Sequence, residues 1–322
     1  MNRLSRHLAR PLMLVAAIAL VAACGTGPGD LGSVATPPPT SAPSVDVPSP
    51  EPTPGTSPTA SPGGSVEPSP TPTPAGTTTI RAYFFLGSFT DDSGLVPVLR
   101  VVPKTQAVAT AAMNALIAGP NEAELAARPA MYTTVPEGTR LLGLTIENGV
   151  ATVDLSREFE SGGGTAAVVG RLAQVVYTLT QFPTVQTVRF ELDGEPVTVF
   201  SGEGVLLDHP VGRDDYRDQL PPIWVDRPAW GAALGNPGRV TGVSNVFEAT
   251  HQVAILDADG DVLADETVMA TCGTGCWGTF DVTLDYSVGS AQWGILRVYA
   301  YSAKDGTPVD IVDYPVWLTP AG

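Results

Sequence analysis

The sequence has little charge and few of the residues that usually catalyse reactions. Charged residues make up 16% of its 322 positions, and it contains only three cysteines and three histidines. Residues 80–322 carry 14 Lys and Arg against 29 Asp and Glu, a net charge of −15. Nucleic-acid binding needs a basic surface that displaces phosphate counterions, so this acidic balance excludes DNA and RNA as partners. Anionic lipid head groups would also repel such a surface.

The N-terminal apolar run is too short to cross a membrane. It covers residues 11–23, whereas a helix needs about 20 apolar residues to span the hydrocarbon core. Basic residues precede the run and small residues end it. This pattern is typical of a secretory signal, here residues 1–23, and predicts an exported protein.

Cys24 directly follows this signal. The preceding Val21-Ala22-Ala23 resembles a bacterial lipobox, and the resemblance implies cleavage before Cys24 and transfer of a diacylglyceryl group to its thiol. Two acyl chains anchor a protein stably, whereas one does not. We predict anchoring through Cys24 to the extracytoplasmic face of the bacterial cell membrane. An ordinary signal peptide followed by an accidental cysteine is the alternative.

Residues 24–78 lack apolar periodicity and basic side chains. They hold 15 of the 31 prolines and four acidic residues. Such a stretch cannot bury enough apolar surface to offset the cost of ordering, which predicts a disordered tether. Its end-to-end distance would average about 40 Å as a coil and reach about 170 Å as an extended polyproline II chain. We expect the tether to hold the folded part away from the membrane.

Residues 79–212 alternate between strand and helix patterns. Apolar residues at helical spacing alternate with β-rich runs and turn signals, and Asn148-Gly149 is the strongest hairpin signal among them. The predicted order ββα–ββα–ββ indicates an α+β two-layer sandwich. Its strands, helices and hairpin are predicted at 79–85, 95–102, 106–118 (helix), 140–156 (hairpin), 165–182 (helix), 185–192 and 196–200.

This region resembles the GerMN domain over essentially all of residues 80–205. The resemblance rests on four segments in order: LVPVLRVVP, ALIAGP, VPEGTRLLGLTIENGVATVDLSREF and LAQVVYTLTQFPTVQTVRFELDG. That domain occurs in spore-germination and envelope lipoproteins and is not known to be catalytic. The resemblance implies protein–protein assembly or scaffolding at the cell envelope.

The residues of this domain offer no strong catalytic site. It contains no cysteine, and its only histidine is His209 near its end. Glu158 and Glu160, near Asp154, could form a glycosidase pair, but a solvated cluster is the preferred interpretation. The SGGGT segment at 161–165 could cradle a phosphate before a helix. It lacks the GK[ST] of a P-loop, so a flexible loop is favoured. We predict no catalytic residue.

Residues 213–220 are predicted to be a short charged linker, and residues 221–320 an all-β immunoglobulin-like sandwich. Runs of strand-forming residues with frequent turn signals support the sandwich. This region resembles the immunoglobulin-like domain of bacterial spore germination in IWVDRPAWGAAL, VTGVSNVFEATHQVAILDADGDVL, WGTFDVTLDY and GILRVYAYSAKDG. That domain often follows GerMN. Strands are predicted within 223–228, 238–247, 251–270, 277–288, 293–306 and 309–318.

Two cysteines of the second domain are close in sequence. In an exported protein Cys272 and Cys276 most often form a disulfide, which would contribute roughly 2 kcal/mol or less because the loop is short. Free thiols are one alternative. A metal or redox site is another, for which His251 is the only nearby additional ligand.

Three acidic residues, Asp257, Asp259 and Asp261, hint at a calcium loop. Aligning Gly260 with the sixth position of an EF-hand puts Ile255 on the first ligand position. Alternating apolar runs flank the loop, so a hairpin turn is the preferred interpretation. We predict no metal and no cofactor.

Seven aromatic residues of the second domain fit either a core or a binding patch. A sandwich core needs large rings, whereas exposed rings are typical of a carbohydrate-binding face. We predict core positions for most of them. They are Trp224, Trp230, Trp277, Trp293, Tyr299, Tyr301 and Trp317.

These features predict a non-enzymatic, lipid-anchored binding or scaffolding protein of the bacterial cell envelope. It would act in a sporulation-type, germination-type or wall-associated assembly, with envelope proteins or peptidoglycan as partners. The alternative is a small-ligand receptor or sensor component with a pocket between the domains. A wall hydrolase is the weakest hypothesis, because the sequence shows no constellation of His, Cys and carboxylates.

Overall fold

A computed structural model describes residues 76–87 and 94–321. The predicted signal peptide, Cys24, nearly all of the tether and most of the turn at 91–94 lie outside the described residues. Among the described helices, none combines the length and hydropathy that a membrane span requires.

The first domain contains the predicted α+β elements. A three-stranded sheet has the order β2-β1-β3 and a four-stranded sheet the order β4-β5-β6-β7, with β5 and β6 parallel. The elements are β1 Thr77–Leu86, β2 Leu95–Pro103, α1 Val108–Ile117, α2 Glu122–Ala126, β3 Met131–Tyr132, β4 Leu141–Glu147, β5 Val150–Leu155, a 3₁₀ turn Arg157–Glu160, α3 Thr165–Leu179, β6 Thr187–Leu192, β7 Glu195–Pro196, β8 Val199–Phe200 and β9 Val205–Leu206.

Turn chemistry accounts for the two hairpins of the four-stranded sheet. Asn148 and Gly149 both have positive φ, at 50° and 84°, as a type I′ turn between twisted strands requires. Asp193 and Gly194 repeat this geometry between β6 and β7. The first turn lies at the predicted hairpin signal, and the second lies between the runs predicted as strands at 185–192 and 196–200.

The elements of this domain that were not predicted include α2 and β3. Helix α2 begins at a capping box in which Asn121 Oδ1 accepts from the Glu124 amide at 2.9 Å and Glu124 Oε2 accepts from the Asn121 amide at 2.8 Å. Its five residues are too few for apolar periodicity to indicate a helix. Strand β3 is a two-residue pairing with β1 that only the tertiary fold creates.

Helix α3 is buried on nearly every side, including its polar residues. Gln174 is fully buried, donates to the Tyr83 carbonyl at 2.8 Å and accepts from the amide and hydroxyl of Thr134, each at 2.8 Å. Because these bonds satisfy the amide, burying it costs little. Helix α3 thereby joins β1 to the segment that follows β3.

The second domain is a sandwich of two antiparallel sheets with one added parallel strand. The orders are β10-β12-β15 and β11-β17-β16-β13-β14, with β11 parallel to β17. The strands are β10 Ile223–Arg227, β11 Ala233–Leu234, β12 Gly238–Ser244, β13 Thr250–Leu256, β14 Val262–Met269, β15 Gly278–Leu284, β16 Gln292–Tyr301 and β17 Pro308–Leu318, with a 3₁₀ turn at Phe247–Ala249. The predicted fold class, an α+β domain followed by an immunoglobulin-like sandwich, is confirmed.

The segment predicted as a charged linker is packed 3₁₀ structure, Arg213–Gln219, with a kink at Tyr216. Tyr216 within it is 5% exposed, and Leu220 after it is 7% exposed. The prediction missed this because the acidic and basic residues around Tyr216 dominate the local composition. The segment is therefore a structural joint.

Arg213 is the centre of that joint. Its guanidinium lies 4.8 Å from the centroid of the Tyr177 ring and 5.8 Å from that of Trp224, so it contacts aromatic rings of both domains. Its Nε donates to the Thr180 hydroxyl at 2.8 Å. A second cross-domain contact joins Arg81 and Asp226 at 3.0 Å. Cation–π contacts gain strength where water is partly excluded, as it is here.

Candidate functional site

The outer surface of the five-stranded sheet exposes large aromatic rings. Along β16, Gly294, Leu296, Val298 and Ala300 are buried, while the alternate residues point to the opposite side. On that side Trp293 is 53% exposed, Tyr301 51% and, on neighbouring β17, Trp317 36%. We call the surface formed by Trp293, Tyr299, Tyr301, Ile311 and Trp317 the aromatic face.

The rings of the aromatic face pair within the face. Trp293 lies directly opposite Trp317 in the register, with centroids 5.3 Å apart in an edge-to-face arrangement. Tyr299 and Tyr301 form a second edge-to-face pair at 5.4 Å. Hydrogen bonding to the Tyr301 side chain, together with burial, raises the pKa of the Tyr299 hydroxyl. The face therefore presents two supported ring pairs.

A closed ion pair lies on the same side of the sheet. Arg297 donates two bonds to Asp313, both at 2.7 Å, and this bidentate contact raises the pKa of the arginine. Because each charge is satisfied by the other, this part of the face carries no net charge.

The core prediction is wrong for Trp293, Tyr301 and Trp317, and right for Trp224, which is 3% exposed. Trp230, Trp277 and Tyr299 are half-buried. The error has a geometric cause, because a strand whose two faces are both apolar does not show which face is covered. The weaker alternative, an exposed aromatic patch, describes these three residues correctly.

A groove of about 400 Å³ lies where the two domains meet. Its walls come from β2 and the start of α2 in the first domain and from the segments around Trp230, Trp293 and Pro315 in the second. Trp293 is thus shared by the groove and the aromatic face. A larger concavity of about 610 Å³ lies on the three-stranded sheet of the second domain, beside Arg213 and Trp224.

Backbone bonds from both domains hold Trp230 in the groove. Its amide donates to the Pro97 carbonyl of β2 at 2.9 Å, and the following Gly231 amide donates to the Pro315 carbonyl of β17 at 2.8 Å. Gly231 has a φ of 75°, a conformation that glycine adopts without steric cost. The backbone that carries the ring is therefore fixed relative to both walls.

The three aspartates of the suspected calcium loop form a hairpin turn between β13 and β14. Asp257 Oδ1 accepts from the amides of Asp259 and Asp261 at 3.0 and 2.9 Å, so that carboxylate oxygen stabilises the turn. Over residues 76–87 and 94–321, no group of three or more His, Cys, Asp or Glu side chains is arranged to hold a metal ion.

The two glutamates considered as a glycosidase pair lie beside arginines. Glu158 is 3.6 Å from Arg140 and Glu160 is 3.7 Å from Arg157. A hydrogen bond with the Ser156 side chain is the main cause that lowers the pKa of Glu158. A general acid for glycoside hydrolysis needs a raised pKa, so the local chemistry is of the opposite kind.

The glycine-rich segment before α3 binds an arginine side chain and is not arranged to bind an anion. The Arg171 side chain is 2% exposed and donates to the carbonyls of Phe159, Ser161 and Gly162 at 2.8, 3.0 and 2.8 Å. Burial lowers the pKa of this guanidinium. The loop thus directs carbonyls inward, whereas a phosphate cradle presents amides.

The structure joins Cys272 and Cys276 in a disulfide, with their Cα atoms 5.8 Å apart. The enclosed loop packs against the chain before β13, where the Thr274 amide donates to the Val246 carbonyl at 2.9 Å. The Gly273 Cα lies so close to Ala249 that a Cβ there would meet backbone at 2.4 Å. The disulfide therefore stiffens a close chain crossing.

The two histidines of the folded part are in contrasting places. His209 is exposed and lies 2.7 Å from Asp208. His251 is 1% exposed, stacks edge-on against Phe280 at 4.7 Å and leaves its buried Nε2 without a partner among the described residues. Burial lowers its pKa to about 4, so the ring is neutral at physiological pH.

Comparison with known families agrees with this architecture. Residues 81–198 match the Germane family, described as sporulation and spore germination, and residues 222–307 match Gmad2, the immunoglobulin-like domain of bacterial spore germination. Each of the two folded domains thus matches a domain family of its own. The chain combines a GerMN domain with the immunoglobulin-like domain of bacterial spore germination, as its sequence resemblance implied.

The matches among solved structures include two from the sporulation protein GerM of Bacillus subtilis. Its first GerMN domain is 19% identical, with a TM-score of 0.37, and the match covers 43% of this chain and 99% of that one. Its tandem GerMN domains are 15% identical, with a TM-score of 0.37, and the match covers 65% and 62% of the two chains. No curated protein is significantly similar to the chain.

Proposed function

We propose that this is a non-enzymatic, lipid-anchored protein on the outer face of the bacterial cell membrane, which binds partner proteins through its aromatic face. Its domains are those of sporulation and spore-germination proteins. The binding role, the anchor and the absence of catalysis are the parts that we propose. The proposed binding takes place within a germination-type or wall-associated assembly.

The observation that carries the proposal is the exposure of Trp293, Tyr301 and Trp317 on one side of one sheet. Ile311, at 51% exposure, extends the same surface. Contiguous apolar patches rimmed by polar residues mark interaction sites. Aromatic residues are also enriched in the centres of protein interfaces. A partner with a complementary apolar surface would remove these rings from water.

In-cell photo-crosslinking tests this proposal. A photoreactive amino acid at Tyr301 should capture one or a few envelope proteins. The matched control is the same group at Thr283, which is exposed on the other sheet of the same domain. Equal capture from both positions would contradict a role for the aromatic face. A C24S chain should lose metabolic lipid labelling, and retained labelling would contradict the proposed anchor.

The absence of catalysis has its own test. The purified full chain is incubated with peptidoglycan, and soluble fragments are measured beside an E158Q variant. We expect no release above background from either protein. Release that E158Q abolishes would identify a hydrolase and overturn the proposal.

A further inference from the structure

We propose that the groove between the two domains binds an uncharged glycan strand, with Trp230 and Trp293 as stacking platforms. The inference deepens the proposed function and rests on it, because a protein must be outside the cytoplasm to meet wall polysaccharide. It concerns a surface different from the Tyr299–Tyr301 end of the aromatic face, and a different class of partner.

The groove has the size and lining of a ligand site. Its volume of about 400 Å³ lies within the range of roughly 300–1,000 Å³ that is usual for small-ligand pockets. Apolar contacts come from Leu99, Pro315 and the two tryptophans, and polar groups come from Asn121 and Glu124. This mixture of flat apolar surface and a few polar groups suits a sugar, which has an apolar C–H face and a hydroxyl rim.

Both tryptophans can offer a ring and a donor. Trp293 is 53% exposed and Trp230 is half-buried. Among the described residues, neither indole N–H donates a hydrogen bond to a protein acceptor. An indole has an electron-rich face for C–H groups and one N–H donor. A pyranose stacked on either ring could therefore also place a hydroxyl on the indole N–H.

The neutrality of the groove favours an uncharged ligand. The only ionisable residue in its lining is Glu124, and both of its carboxylate oxygens accept bonds from Arg100, at 2.6 and 2.7 Å. The Asn121 amide adds a third bond to this carboxylate. The groove is therefore neutral, whereas residues 80–322 carry a net charge of −15. A cationic partner would find stronger attraction elsewhere, and an anionic one would be repelled by the whole surface.

The walls are held in place before any ligand arrives. Trp230 is bonded through the backbone to β2, and the segment after it to β17, where the Trp317 amide donates to the Ala232 carbonyl at 2.9 Å. Trp293 is supported by the Trp317 ring. A site that needs little ordering loses little of its binding free energy to entropy.

Calorimetric titration tests the inference, with the full chain in detergent micelles. The probes are chitotetraose and cellotetraose, two neutral oligosaccharides. We expect at least one of these glycans to bind, and W293A to weaken the binding about tenfold or more, since one stacked ring contributes about 1.5 kcal/mol. The matched control is Y301A, which removes an equally exposed ring outside the groove and should leave glycan affinity unchanged.

Absence of binding by both glycans, or equal losses in W293A and Y301A, would overturn the inference. Binding of a proline-rich peptide with the sequence of residues 43–62, sensitive to W293A and without glycan binding, would assign the groove to a peptide instead. Crosslinking from Tyr301 that persists in W230A, a variant that alters the groove and leaves the residues of the aromatic face unchanged, would leave the proposed function intact in either case.

Discussion

The two domains use their aromatic residues in opposite ways. In the described part of the first domain no aromatic side chain is exposed, and seven are nearly or fully buried: Tyr83, Phe84, Phe85, Phe159, Tyr177, Phe190 and Phe200. In the second domain Phe247, Trp293, Tyr301 and Trp317 are at least 36% exposed. The rings of the first domain fill its core, whereas several rings of the second domain remain exposed and accessible to a partner.

Buried polar groups give a second comparison. The first domain buries Arg171 and Gln174 on α3, and bonds to the protein satisfy both. Each domain also buries a polar atom without a partner among the described residues, Thr178 Oγ1 in the first and His251 Nε2 in the second. The domains differ in titration, because the buried histidine of the second domain can change its charge state with pH.

The largest effect should follow from removing the buried arginine of the first domain. R171A leaves three loop carbonyls without their donor and opens a cavity beside Phe159, so we expect it to destabilise the protein by about 3–5 kcal/mol. Chemical denaturation measures this change. The control is R157A, whose side chain is 60% exposed and whose effect should be within about 0.5 kcal/mol. Similar small effects of both variants would contradict the structural role of Arg171.

Acid should weaken the second domain through His251. Its folded pKa of about 4 lies below the ordinary value of 6.5, so the unfolded state binds the proton more readily. The stability that depends on neutral His251 is fully present above pH 6.5. It is lost as the pH falls towards 4, by on the order of 3 kcal/mol. H251F should flatten this part of the stability–pH curve, while H209N, at the exposed histidine, should not. Parallel curves for wild type and H251F would contradict the prediction.

A substitution in the joint between the domains should have an intermediate effect on the free energy of unfolding. R213K keeps the charge but loses the planar guanidinium that lies over rings of both domains, which should cost about 1–2 kcal/mol. Thermal or chemical unfolding measures it. R217K alters a neighbouring arginine whose partner, Asp214, is exposed, and should cost about 0.5 kcal/mol or less. An R213K effect no larger than that of R217K would show that the guanidinium does not stabilise the packing of these rings.

The smallest effect on stability should come from the aromatic face. Y301A removes a half-exposed ring and should change the free energy of unfolding by about 0.5 kcal/mol or less. F159A, the matched removal of a fully buried ring in the first domain, should cost about 3–5 kcal/mol. Denaturant midpoints compare the two variants. A large loss in Y301A would show that the exposed rings stabilise the domain rather than serve a partner.

Much of the fold was predictable because its signals are local. Asn148-Gly149 and the apolar spacing of α1 and α3 depend only on neighbouring residues, and the hairpins and helices formed where predicted. Helix α2 escaped prediction because it is short, and the 3₁₀ helix over Arg213–Gln219 because its charges hid a buried tyrosine. A pocket between the domains was only the alternative hypothesis, and the residues that line the groove could not be predicted, since its walls are far apart in sequence.

The sequence by itself determined the order of the two domains, the hairpin turn at Asn148-Gly149 and the acidic balance. Each of these depends on residue type and short-range spacing, which folding does not alter. Only the tertiary structure decided which aromatic rings are covered, that Arg171 binds carbonyls rather than the loop binding an anion, and that Trp230 and Trp293 share one groove. Burial and proximity arise from packing between distant segments, so no local pattern contains them.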